Sequence, residues 1–91
     1  MAIFMMYSVK DEMTGKFMNP MFVESGDTQK EVEASDRLAI RQFKSNLNNI
    51  QLWKDNPSDY SLYRVGAFDD EAGAEACNLE KVASGRSVLN A

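Results

Sequence analysis

Tyr60-Ser61-Leu62-Tyr63-Arg64-Val65-Gly66-Ala67-Phe68-Asp69-Asp70-Glu71-Ala72-Gly73 reads as a β-strand running into an acidic turn. Tyr60, Leu62, Tyr63, Val65 and Phe68 favour a pleated, half-buried surface, and the run from Asp69 to Gly73 stops the pairing. Pro57-Ser58-Asp59 stands in front as a break. A weaker partner strand is expected over Ala74 to Leu79, which makes this region a hairpin.

A second hairpin is legible at the other end of the chain. Ile3, Met5, Tyr7 and Val9 alternate with Phe4, Met6 and Ser8, so both faces of this strand begin apolar and it belongs in a sheet interior. Asp11 to Gly15 forms the turn. Lys16 to Val23 is the return strand, and Pro20, which cannot donate to a ladder, marks an edge or a bulge. Between the hairpins, Ala39, Ile40, Phe43 and Leu47 recur at helical spacing. Thr28 with Glu31 is a possible capping box, and Ser35 is a second candidate cap. A helix running from Thr28 would place Asp36 within its apolar stripe, where an unpaired carboxylate is costly. The expected main helix therefore starts near Ser35. Asn46 to Asn49 fray its end, and Ile50, Leu52 and Trp53 pack back on the core.

The expected fold class is α+β: a small antiparallel sheet of about four strands with one main helix packed on one face, in the order β-β-α-β-β. Residues 1–80 form a single domain, and 81–91 a loosely ordered C-terminal tail. The second sheet face still carries apolar groups. On a 91-residue chain such a face implies a partner, often a second copy.

Composition narrows the function. The chain is 44 % hydrophobic and 26 % charged, which argues for a folded domain rather than a disordered one. It has no histidine, so the commonest general base and metal ligand are missing, and its single cysteine, Cys77, cannot build a zinc site or an internal disulfide. Cys77 reads as a small hydrophobe on a strand. Asp69, Asp70 and Glu71 lack the spacing of a calcium loop and read as a solvated turn. No glycine-rich phosphate loop is present, and no nucleophile has a base to activate it. The expectation is a non-enzymatic protein with no cofactor and no metal.

No segment approaches the ~20 apolar residues that span a membrane. The apolar start from Ala2 to Val9 lacks a preceding base and reads as strand rather than export signal. The net charge of −4 lowers the expectation of indiscriminate nucleic-acid binding but does not preclude a local basic patch. One is available: Arg37, Arg41 and Lys44 fall on one helical stripe beside the apolar face. With Tyr60, Tyr63 and Trp53 as stacking surfaces, this stripe is the candidate nucleic-acid site. The bland alternative is a solubilising helix face with core aromatics. Met1, Met5, Met6, Met13, Met18 and Met21 crowd the first hairpin, as core filler or as an adaptable contact surface.

Several strings also carry a resemblance. Tyr7-Ser8-Val9-Lys10-Asp11, Asn19-Pro20-Met21-Phe22-Val23, Ala39-Ile40-Arg41-Gln42-Phe43 and Pro57 through Gly73, in that order and spacing, resemble the small nonstructural protein of gokushovirus-type microviruses. These are tailless phages with circular single-stranded DNA. The resemblance implies a DNA-binding accessory protein in viral DNA replication, acting at the switch to single-stranded genome synthesis and packaging in the bacterial cytoplasm. It brings no catalytic residues and draws interest to Arg41. The implied partners are single-stranded DNA and viral or host replication proteins. The alternative is a homo-oligomeric module that redirects a replication protein without contacting DNA.

Overall fold

The first hairpin pairs β1 (Ile3–Asp11) with β2 (Lys16–Ser25). The computed structural model describes residues 3–26 and 28–89, with the side chains of 75–78 outside that description. Cys77 is among those four. At the hairpin turn Gly15 adopts φ 75°, a left-handed conformation open to glycine at no steric cost, and its N–H donates to the Asp11 carbonyl at 2.7 Å. The pairing then steps from Val9↔Met18 to Tyr7↔Met21, so Asn19 and Pro20 bulge from β2. Asn19 takes φ 50° there. The Ser8 hydroxyl donates to the Met18 carbonyl at 2.7 Å, using an acceptor beside the break.

The second hairpin joins β3 (Tyr60–Asp69) to β4 (Gly73–Ser84), and β3 lies antiparallel to β1. The sheet order is β2-β1-β3-β4, so β1 is interior and Pro20 sits on an edge strand, as their sequences require. Asp69 closes the β3–β4 turn by accepting the Glu71 N–H at 2.8 Å.

One long helix, α1 (Gln29–Asn49), covers one face of this sheet. Ala39, Phe43 and Leu47 are fully buried against Met5, Tyr7, Val9 and Leu62. The α+β architecture with one main helix on one sheet face is thus the observed one. A short helix α2 (Gln51–Asp55) brings Trp53 into the core, where it stacks on Tyr60 with ring centroids 4.8 Å apart. A single 3-10 turn, Pro57–Asp59, then leads into β3.

Two boundaries differ from expectation. The helix starts at Gln29, not near Ser35, because Asp36 is paired rather than stranded. It accepts a hydrogen bond from the buried Tyr7 hydroxyl and lies 3.6 Å from the Arg64 guanidinium, which also reaches Glu80 at 2.6 Å. Thr28 caps the helix: its Oγ1 accepts the Glu31 N–H at 3.2 Å and donates to the Glu31 carboxylate at 2.8 Å. Residues 81–89 also differ from the expected loose tail. Strand β4 continues to Ser84, and a short helix α3 (Gly85–Leu89) folds back and buries Val88. Gly85 permits this approach, since a Cβ there would stand 2.2 Å from the Pro57 carbonyl oxygen.

Candidate nucleic-acid interface

The helix stripe expected to be basic is basic and exposed. Residues 37–49 contain no carboxylate, and packing Ala39, Phe43 and Leu47 on the sheet turns Arg37, Arg41 and Lys44 outward. The salt bridges among the described residues both use Arg64, so among those residues these three cations have no carboxylate within 4 Å. From Arg37 to Lys44 the helix rises about 10 Å.

The two tyrosines part company. Tyr60 is in the core, stacked on Trp53, and offers no face to a ligand. Burial pushes its phenol pKa up, with Asp11 and Asp59 adding to the effect. Tyr63 points to the opposite side of the sheet from α1. There its ring meets Phe17 edge-on at 5.8 Å, and its hydroxyl donates to Glu12 at 3.2 Å. Burial again raises the phenol pKa, followed by the Glu12 charge and that hydrogen bond. The sheet therefore separates Tyr63 from Arg37, Arg41 and Lys44.

Sequence reasoning missed Lys10, whose ammonium lies 5.7 Å from the ring centroids of both Phe17 and Tyr63. The signal was available, because strand alternation puts Lys10 on the same side as Phe4 and Met6. At the far end of this open face Phe4, Phe22 and Phe68 line a hollow of about 300 Å³. Phe22 is 59 % exposed. A second hollow, about 420 Å³, lies beside α1 and is lined by Gln29, Val32, Glu33, Asp36, Arg64 and Glu80. Its chemistry is that of the Asp36–Arg64–Glu80 clasp.

The family described as Phage ORF5 protein matches residues 4–88. The chain belongs to that phage protein family. Comparison with curated proteins and with solved structures gives no match. The matched span includes all four strands' pairing core, the whole of α1 and both sets of surface residues described above.

Charge is sorted along the long axis of this phage protein, whose dimensions are 41 × 25 × 19 Å. Glu24, Glu31, Glu33, Asp69, Asp70 and Glu71 gather where β2 hands over to α1 and where β3 turns into β4. Lys10, Arg41, Lys44, Lys54, Lys81 and Arg86 lie toward the other end. Asp11, Glu12, Asp55 and Asp59 share that end, so the surplus of positive charge is confined to the α1 stripe, where residues 37–49 carry no carboxylate. No helix of the described residues is long and apolar enough to cross a membrane.

Proposed function

We propose that this phage protein is a non-enzymatic accessory factor in viral DNA replication, in the manner of the microvirus nonstructural proteins, and that it holds single-stranded DNA by its phosphates along α1. The observation that carries this reading is the exposed, carboxylate-free run containing Arg37, Arg41 and Lys44. Their span of about 10 Å matches about three phosphates at the ~3.4 Å spacing of a stacked strand. With Tyr60 buried, contact is through the backbone and tolerant of sequence. The setting is the cytoplasm of the infected bacterium.

A titration of labelled oligonucleotide followed by fluorescence anisotropy tests this. Three phosphate contacts give a salt slope near −2, so raising salt from about 50 to about 200 mM weakens binding roughly 16-fold. Arg41→Ala should flatten that slope by about 0.7. Absence of binding at the lower salt, or an unchanged slope in Arg41→Ala, removes the mechanism. The Phe4, Phe22 and Phe68 hollow supports a second reading, a homo-oligomeric module that redirects a viral or host replication protein.

A further inference from the structure

The open sheet face is an apolar surface that the fold leaves uncovered. Phe17 is 44 %, Phe22 59 % and Leu79 52 % exposed, on a side that α1 does not reach. Exposure of this kind marks a contact surface rather than ordinary scatter. The charges on the face are not randomly placed. The β1–β2 register sets Glu24 beside Phe4 at one end and Lys10 beside Phe17 at the other. Strand β4 repeats the arrangement: Lys81 pairs with Tyr63 at the basic end, while Asp70 and Glu71 turn the chain just before Gly73 at the acidic end.

We propose that a second copy of this chain covers the face, sheet on sheet, about a two-fold axis that crosses the strands. That operation reverses one copy along the strand direction. Lys10 of each copy then faces the Phe4 and Glu24 end of the other, and Lys81 faces the Asp70 and Glu71 turn. A contact of this type is isologous, so one complementary pattern is satisfied twice. The alternative two-fold axis, along the strands, sets the Glu24 end on itself and turns Lys10 toward an end where Glu12 is already held by the Tyr63 hydroxyl. The Lys10–Glu24 charge exchange distinguishes the two arrangements.

Area agrees with this occupant. Four strands ~4.8 Å apart with a rise of ~3.3 Å per residue present roughly 600 Å² in projection. Side-chain relief brings that near the ~800 Å² per partner of a standard interface. The phenylalanine hollow alone falls far short. Carboxylates at that end also repel a phosphate backbone, which separates this surface from the α1 stripe. The resulting dimer has four layers, helix, sheet, sheet and helix, with Arg37, Arg41 and Lys44 still outward on both sides. The inference does not depend on what α1 binds.

Sedimentation velocity across a dilution series, at low and high salt, reads the outcome. The wild-type chain should be a dimer that weakens with salt. Phe22→Asp should sediment as a monomer with an unchanged circular dichroism spectrum, because that side chain is mostly in solvent already. Lys10→Glu and Glu24→Lys should each weaken the dimer by about tenfold, and the double variant should recover most of the loss. Recovery in the double variant requires the reversed arrangement. A monomeric mass at every concentration overturns the proposal, as does a dimer indifferent to Phe22→Asp. A monomer whose affinity for labelled oligonucleotide falls in Phe17→Ala gives the face to nucleic acid and also overturns it. Arg41→Ala should leave dimerisation unchanged, so failure here is separable from failure of DNA binding.

Discussion

Asp36 is a carboxylate in a helix face that should be apolar, and its surroundings explain why it stays. Tyr7 donates to it from β1, and Arg64 reaches it from β3 while also holding Glu80 on β4. One side chain thus ties the helix to three strands. Asp36→Ala removes the acceptor of a fully buried hydroxyl and one carboxylate of the Arg64 clasp. The expected loss is about 1–3 kcal/mol, read from urea unfolding. Tyr60 makes a different prediction. Its phenol pKa is raised above the ordinary ~10 of an exposed tyrosine. The folded state therefore holds that proton more tightly than the unfolded chain. The associated stability is complete below about pH 10 and is lost as pH rises through the raised value. Unfolding free energy should be flat up to about pH 9 and fall above about pH 10. Tyr60→Phe should flatten that fall, leaving the contribution of Tyr63, whose phenol pKa is also raised.

At the level of elements, α1 is set by its ends as much as by its stripe. Thr28 and Glu31 satisfy N–H groups that the first turn cannot, which starts the helix two turns before Ser35. Ser35 is left as a buried residue whose hydroxyl donates to the Glu24 carbonyl at 3.1 Å, fastening the helix to β2. Thr28→Ala should lower stability by about 1 kcal/mol, measured as a shift in denaturant midpoint at constant slope. Strand β2 shows the opposite behaviour. Pro20 cannot donate to the ladder, so the strand bulges and stays at the edge. Beyond the bulge Phe22 is back in register opposite Met6, exposed and lining the hollow of the open face.

The whole molecule rests on one layer of contacts between α1 and the sheet. Phe43 is fully buried at the centre of it. Phe43→Ala should cost about 3–5 kcal/mol, a large part of the roughly 5–15 kcal/mol that holds a typical domain. Thermal or urea unfolding should show a low midpoint or no folded baseline. Charge sorting also belongs at this scale. It reconciles a net charge of −4 with a basic helix face, because residues 37–49 of α1 carry no carboxylate although carboxylates stand at both ends of the sheet. It also divides the surface into a side facing solvent anions and a side suited to a reversed copy.

Local patterning was enough to determine the order of hairpins and helix, the interior place of β1, the edge place of β2 and the buried stripe of α1. Each follows from interactions between residues a few positions apart, where backbone geometry alone decides which side chains share a face. The start of α1, the packing of residues 81–89 and the fates of Tyr60 and Tyr63 were decided by the tertiary structure. Asp36 finds its partners on β1, and on β3 through Arg64. Val88 finds its pocket only once Gly85 can pass Pro57. Tyr60 and Tyr63, three positions apart on one strand, take opposite faces by alternation, but which face is covered is settled only when the helix chooses a side. A chain reports its local periods, but whether a charge is paired or an aromatic ring is covered depends on residues that meet only after folding.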